Sequence, residues 1–121
     1  MKTDEEQSLD DKTVSRLCKI GGGKLLKEMI ALFLDHAPKK LSVISEGAAT
    51  SDWKMVEKGA HSLKSSAANL GAMKMHRISE SLEQLSTEGK TDSLRPLIQE
   101  LESEFIHVRE RLLVISKEVS E

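Results

Sequence analysis

Apolar residues recur along the chain at alternating spacings of three and four residues, which is the period of a helix with one buried face. No run of four or more residues alternates apolar and polar side chains in the way of a half-buried strand. The pattern therefore predicts an all-α protein with five helical segments.

The segments comprise, in order, a short helix from Asp10 or Asp11 to Ile20, a helix from Lys24 to Ala49, one from Trp53 to near Leu70, one that ends near Gly89, and one capped by Thr91 or Asp92. Their apolar stripes are Val14, Leu17, Cys18 and Ile20; Leu26, Ile30, Phe33, Ala37, Leu41, Ile44 and Ala48; Val56, Ala60, Leu63, Ala67 and Leu70; Met75, Ile78, Leu82 and Leu85; and Leu94, Ile98, Leu101, Phe105, Val108, Leu112 and Ile115.

Short connections between the four long segments predict how they pack. Links of about two to six residues place consecutive helices side by side and antiparallel. We therefore expect an antiparallel up-and-down four-helix bundle, with the short additional N-terminal helix lying across it. The predicted domain covers residues 10–117, with a flexible N-terminal tail at 1–9 and a C-terminal tail at 118–121.

Glycine, proline and capping residues mark the predicted boundaries. Gly21-Gly22-Gly23 should end the first helix, and Pro38 should bend the second without breaking it. Ser51 or Asp52 is placed to cap the third helix. Gly71 follows that helix, where a residue in the left-handed conformation is expected.

Composition argues against several classes of function. Eighteen basic and twenty acidic residues are interspersed, with a net charge of −2, whereas nucleic-acid binders usually carry a basic field, and three aromatic residues offer little stacking surface. The longest apolar run, residues 29–34, is too short to cross a bilayer. The N-terminus lacks the pattern of a secretory signal, and the single Cys18 fits a reducing compartment. We expect a cytoplasmic protein with no nucleic-acid or membrane partner.

The candidate chemistry centres on His61. At about 100° per residue, it lies about 140° from the buried Val56, on the solvent side of its helix. A cation at i+3, Lys64, is well placed to neutralise a phosphorylated imidazole. No second acid or base is expected to converge on the ring. The residues that share its helical surface are Glu57, Lys58, Lys64, Ser65 and Ala68.

The stretch around His61 resembles the signature of the histidine-containing phosphotransfer (HPt) domain of two-component phosphorelays. It reads Ala60-His61-Ser62-Leu63-Lys64-Ser65-Ser66-Ala67-Ala68-Asn69-Leu70-Gly71-Ala72. The resemblance extends over residues 10–117, through Phe33 and Pro38, the turn at Asp52-Trp53 and the last apolar stripe.

The resemblance implies that His61 accepts a phosphoryl group from a receiver-domain phospho-aspartate and passes it to another receiver. It implies that Lys64 contacts this group and that the receiver supplies the catalytic machinery and Mg²⁺, so that the domain is not itself an enzyme and needs no cofactor. Ser65 departs from the common glycine, and either crowds a partner or donates a hydrogen bond to the phosphoryl group. Glu57, Lys58 and Ala68 then belong to the docking surface. We expect a monomer, with a hybrid sensor kinase as a candidate partner beside the receiver domains.

Other interpretations are weaker. Gly21-Gly22-Gly23-Lys24 lacks the first glycine, the hydroxyl residue and the preceding strand of a phosphate-binding loop. Glu104 and His107 form one Glu-x-x-His pair without a second, on a face interpreted as external, so no metal site is expected. His36 and His76, like His107, are interpreted as ordinary histidines.

A second apolar row, formed by Leu25, Met29 and Leu32, accompanies the main stripe of the second segment. It is either core covered by the short first helix or an extension of an apolar docking patch beside His61. One alternative of a different class stays open: an adaptor that binds a signalling partner through the second and third predicted helices without being phosphorylated.

Overall fold

The computed structural model describes residues 8–119, which contain four α-helices. These are α1 (Asp11–Ala49), α2 (Trp53–Asn69), α3 (Met73–Glu88) and α4 (Leu94–Glu118), with a 3₁₀ turn at Thr91–Ser93 before α4. Each helix packs against its neighbour in the chain, and α4 returns to pack against α1. The predicted all-α four-helix bundle is confirmed. Among residues 8–119, no helix is long and apolar enough to cross a membrane.

The core is almost wholly aliphatic and follows the predicted stripes of the four long segments. In the stripe of the first segment, Val14, Leu17 and Cys18 are only partly buried. Ile20 is 71% exposed, so its prediction as a stripe residue is wrong. Phe33 of α1 and Phe105 of α4 form its one described aromatic pair, with ring centroids 6.1 Å apart. Leu85 and Ile115 are only partly buried at the margin. The largest fully buried side chains are Leu26, Ile30, Ile44, Leu63, Leu70, Met75, Leu82, Leu94, Leu101, Leu112, Val56 and Val108.

The predicted short first helix is the N-terminal part of α1. Gly22 adopts φ 73° and ψ −174°, so the chain kinks there, while the helical hydrogen bonding continues on both sides. The triple glycine thus separates two helical segments at the predicted position, and the two segments meet at a kink. Further along, α1 continues through Pro38 as predicted.

The N-terminal end of α1 is fixed to the turn between α2 and α3. The Asp10 amide donates to the Gly71 carbonyl at 2.7 Å. Gly71 has φ 81°, and a Cβ there would lie 2.8 Å from the Thr13 Cβ, so glycine is required both by conformation and by contact. Leu9 is only 2% exposed and packs into the core.

Two residues that the sequence places in the terminal tails, Leu9 and Val119, pack against the core. The buried Leu9 belongs to the folded domain, although the sequence places it in the tail at 1–9, because its side chain fills the end of the bundle. Residues 1–7 of that tail lie outside the described residues, as do 120–121 of the C-terminal tail. Glu118 is the last residue of α4, and Val119 packs against the core.

The predicted N-terminal cap of α2 is confirmed, whereas the predicted cap of α4 is wrong. Asp52 caps α2, and its carboxylate accepts a hydrogen bond from the Met55 amide. Neither Thr91 nor Asp92 caps α4, because both lie in the 3₁₀ turn that precedes it. The start of α4 is held instead by Arg95, which donates to the Ala48 carbonyl at 2.6 Å and lies 5.5 Å from the Trp53 ring centroid.

Gly59 lets α1 and α2 approach closely. A Cβ at this position would lie 2.7 Å from Cγ1 of the buried Ile44, too close for the packing to stay unchanged. The general preference of helices for alanine is worth about 1 kcal/mol, whereas overpacking a core costs about 1–3 kcal/mol. The close contact with Ile44 therefore outweighs the higher helix propensity of alanine at position 59.

We expect Gly59→Ala to lower the free energy of unfolding by about 1 kcal/mol, measured by urea denaturation. The control is the same substitution combined with Ile44→Ala, which removes the contacting atom. On that background alanine at position 59 should stabilise the protein relative to glycine. If Gly59→Ala stabilises the otherwise unchanged protein, the close approach does not explain the glycine.

Candidate functional site

His61 lies in the middle of α2 and faces solvent. Its side chain is 64% exposed, while its neighbours Ala60 and Leu63 are fully buried in the core. The backbone of α2 is thus fixed by packing on one side and presents the imidazole on the other. This is the orientation that the helical spacing predicts.

One carboxylate holds both His61 and Lys64. Glu83 of α3 places Oε2 2.7 Å from Nδ1 of His61 and Oε1 2.7 Å from Nζ of Lys64. The Glu83 and Lys64 side chains are 22% and 25% exposed, so the ion pair is partly shielded from water. An ionised carboxylate can only accept, so Nδ1 carries the proton in this contact, and in the neutral ring Nε2 keeps its free lone pair.

The same contacts shift the pKa values of the two charged groups. The hydrogen bond from Lys64 lowers the pKa of Glu83, aided by that from His61 and opposed by desolvation. The hydrogen bond to Glu83 raises the pKa of Lys64, with a smaller contribution from the charge of Glu80. Both groups are therefore charged across the neutral range.

These shifts predict how stability depends on pH. Because the pKa of Glu83 is lowered, its contribution to the stability of the fold is complete above the ordinary pKa of 4.5. This contribution is lost as the pH falls through the pKa of Glu83 in the folded protein. Because the pKa of Lys64 is raised, its contribution to the stability of the fold is complete below the ordinary pKa of 10.5. This contribution is lost as the pH rises through the pKa of Lys64 in the folded protein. We expect the stability difference between wild type and Glu83→Gln to shrink as the pH falls below 4.5. Urea titrations at several pH values measure this, and a difference unchanged at about pH 3 would contradict it.

The other predicted site residues share the His61 face but differ in their contacts. Lys58 and Ser65 are exposed and Ala68 is half-buried, one to two turns from the ring. Glu57 lies opposite Thr87 of α3, whose hydroxyl is 3.0 Å from its Oε2. The structure thus brings Lys64 into the His61 cluster through Glu83, and leaves Lys58, Ser65 and Ala68 as the surface around it.

Glu83 is not among the residues predicted from the sequence, and the expectation that no acid converges on His61 is wrong. The missing residue comes from the neighbouring helix. In an antiparallel helix pair joined by a tight turn, residues equally distant from the turn face each other. His61 and Glu83 both lie eleven positions from Ala72, and Glu57 and Thr87 both lie fifteen positions from it. This pairing rule could have identified Glu83.

The remaining histidines have different surroundings. His76 of α3 places Nδ1 3.0 Å from the Lys64 carbonyl oxygen, so it links α3 to the backbone of the site. His36 and His107 have exposed rings. Glu104 beside His107 is only 5% exposed, so the interpretation of that pair as external is wrong for its carboxylate. Among residues 8–119, no group of three or more ligand-type residues could hold a metal.

An open groove lies between α1 and the C-terminal end of α2. Leu32 is 59% exposed within it, although it is a large aliphatic residue. Of the second apolar row, Met29 and Leu32 therefore line a surface, and only Leu25 lies outside the groove. The groove is lined by Met29, Leu32, Phe33, His36, Ser66, Asn69 and Leu70.

Comparison with known proteins agrees with this geometry. Residues 28–111 match the family model of the Hpt domain. The sensor protein TorS of Escherichia coli (strain K12) is 32% identical over 85 residues, which cover 70% of this chain and 9% of TorS.

Two solved structures have the same fold. The crystal structure of histidine-containing phosphotransfer protein B from Pseudomonas aeruginosa PAO1 superposes with a TM-score of 0.89 at 21% identity, covering 96% of this chain and 100% of the other. The HPT domain of a sensor hybrid histidine kinase from Shewanella gives a TM-score of 0.81 at 19% identity, covering 94% and 97%.

The fold places the chain in the class of all-α four-helix bundles, here with an exposed histidine on the second helix. The chain belongs to the Hpt domain family. Members of this family are phosphotransfer carriers.

Proposed function

We propose that His61 is the phosphoacceptor and that Nε2 is the atom that is phosphorylated. The observation that carries this proposal is the Glu83 contact, which occupies Nδ1 at 2.7 Å and leaves Nε2 of an exposed ring as the nucleophile. The Nε2 lone pair attacks the phosphorus of a receiver aspartyl phosphate, and the phosphorus–oxygen bond to the aspartate breaks as the carboxylate leaves. Return transfer to a second receiver reverses these two changes.

Lys64 is proposed to contact the phosphoryl group while it remains paired with Glu83. An ammonium has three donors, so one can stay on Oε1 of Glu83 while others reach the phosphoryl oxygens. Ser65, exposed one turn from His61, is a further donor on this face. The domain supplies an oriented nucleophile, and the receiver supplies Mg²⁺ and the acyl phosphate chemistry.

The proposed partners are receiver domains, with a hybrid sensor kinase as one possible source of the phosphoryl group, and the proposed compartment is the cytoplasm. The docking surface combines Glu57, Lys58 and Ala68 with the α1–α2 groove, which supplies exposed apolar area next to charged side chains. Small interfaces of this kind suit transient signalling contacts.

The direct test is incubation with a phosphorylated receiver domain and Mg²⁺. We expect an acid-labile, base-stable phosphoryl adduct on the domain, and fragmentation should map it to the segment of α2 that contains His61. Binding of the receiver without any adduct would instead indicate the non-phosphorylated adaptor.

The groove yields a separate prediction about docking. Leu32→Asp should weaken receiver binding about tenfold or more, because it places a charge where an exposed leucine is to be buried. Ile106→Asp is the matched control, since Ile106 is similarly exposed, at 52%, but lies on α4. Titration calorimetry measures both affinities, with urea midpoints to verify folding. Equal effects of the two substitutions would remove the groove from the interface.

A further inference from the structure

His76 of α3 is joined to the backbone of the helix that carries the site. Its Nδ1 lies 3.0 Å from the carbonyl oxygen of Lys64 in α2, in a partly buried contact. A carbonyl oxygen can only accept, so Nδ1 carries a proton and donates this hydrogen bond. The oxygen has two lone pairs, so it can accept from His76 in addition to the backbone bond of the helix. The contact therefore fixes a backbone atom of Lys64 to a side chain of the neighbouring helix.

His76 is itself held firmly at the start of α3. Its amide donates to the Ala72 carbonyl at 2.9 Å, and the Ala72 amide donates to the Ala67 carbonyl of α2 at 2.9 Å. Ala72 and Met75, which lie on either side of this first turn, are fully buried. A ring on such a support can position the group that it binds.

Lys64 is thus bound to α3 at both its backbone and its side chain. Its ammonium lies 2.7 Å from Oε1 of Glu83, and its carbonyl accepts from His76. The Glu83 contact does not by itself fix the ammonium relative to His61, because the four-carbon stem of a lysine is flexible and can follow a shifted helix. The carbonyl contact fixes the point from which that stem starts. Hydrogen bonds are directional and apolar packing is not, so this contact opposes small rotations of α2 that packing permits.

We propose that His76 is a positioning residue for phosphoryl transfer, which holds the backbone of Lys64 so that the ammonium meets the phosphoryl group on His61. The proposal rests on the proposed function, in which His61 is phosphorylated and Lys64 contacts the transferred group. His76 acts through Lys64 and does not touch that group, because its described side-chain contact is with a backbone oxygen. A displacement of about 1 Å at a reacting group can slow a reaction by about 100-fold. Loss of this hydrogen bond should therefore be visible in the rate.

The first test compares two substitutions of His76 that differ in whether they can donate. His76→Asn keeps a side-chain nitrogen that can donate from near the position of Nδ1, whereas His76→Leu keeps bulk and donates nothing. Acceptance is measured in a single turnover with saturating phosphorylated receiver and Mg²⁺, so that receiver affinity does not enter the rate. We expect His76→Leu to slow acceptance about tenfold and His76→Asn to recover most of the rate. Equal slowing by the two substitutions would overturn the proposal.

His107→Leu is the matched control, because it removes a histidine whose ring is exposed on α4, outside the site. It should leave acceptance unchanged. Urea denaturation of each variant verifies that it is folded under the conditions of the assay. Slowing by His107→Leu as large as that by His76→Leu would contradict the specific role of His76.

Combination with Lys64→Ala separates positioning from a merely structural role. If His76 acts through the ammonium, His76→Leu should cause no further slowing once the ammonium is gone. Slowing by the same factor on both backgrounds would overturn the proposal, because His76 would then support the bundle in general. A normal rate for Lys64→Ala alone would also overturn it. Failure of the wild type to accept any label would overturn the proposed function instead.

A further measurement uses the unchanged protein. Nitrogen-15 NMR of the wild-type domain reports which ring nitrogen of His76 carries the proton when the ring is neutral. We expect the proton on Nδ1, because Nδ1 faces a carbonyl oxygen. A proton on Nε2 alone would overturn the proposal, since Nδ1 could then not donate to Lys64.

Discussion

Replacing His61 with glutamine should abolish labelling of the domain by a phosphorylated receiver and should leave the bundle folded. Glutamine has no nitrogen lone pair that can attack phosphorus, so no adduct forms, even after long incubation. Folding is preserved because the side chain is 64% exposed and its described polar contact is with Glu83 at the surface. We expect a change in the free energy of unfolding within about 0.5 kcal/mol. Radiolabel transfer and urea denaturation measure the two effects.

His36→Gln is the control for this experiment, because His36 is also an exposed histidine but belongs to α1. It should still accept acid-labile label, although at a changed rate, because His36 lines the groove that is proposed to dock the receiver. If the His61→Gln protein still carries acid-labile label and the double variant with His36→Gln carries none, then the acceptor is the histidine of α1.

Lys64→Ala should slow phosphoryl acceptance by about 10–100-fold without abolishing it. Loss of a charged donor at a group that develops negative charge has effects of about this size or larger. Acceptance persists because Nε2 of His61 is still exposed and the receiver still supplies Mg²⁺. Rapid-quench measurements of single-turnover transfer give the rate.

Lys58→Ala provides the comparison, because Lys58 is an exposed cation on the same face of α2, with no described contact to Glu83. It should affect only the encounter with the receiver, so its effect should fade as salt is raised. The effect of Lys64→Ala should persist at high salt. If the two variants behave alike, Lys64 acts as part of the general surface charge and not at the phosphoryl group.

The sequence pattern predicted the bundle because helical periodicity reports burial directly. Residues such as Leu101 and Val108 repeat at three and four positions, and the structure buries them fully. Local patterns were less informative about the ends of the helices. Leu9 follows a polar stretch and has no periodic partner, yet it fills the end of the core. Its burial depends on where α1 meets the α2–α3 turn, which the spacing within one helix does not encode.

The residues of the site also differ in whether the sequence pattern could predict them. The exposed position of His61 and its spacing from Lys64 are properties of one helix, so the sequence could indicate both. Glu83 belongs to another helix, and its place opposite His61 depends on the register of the α2–α3 pair. That register becomes readable only when the turn at Gly71 and Ala72 is taken as the centre of the pair.

The parts that hold the imidazole all come from two consecutive helices joined by one short turn, with Glu83 and His76 both reaching from α3 to α2. The apolar groove, in contrast, takes one wall from α1. Under the proposed function, the phosphoryl chemistry uses α2 and α3, whereas the docking surface also uses α1. We expect substitutions on the α1 wall of the groove to change the affinity for a receiver while the reactivity of His61 stays as it was.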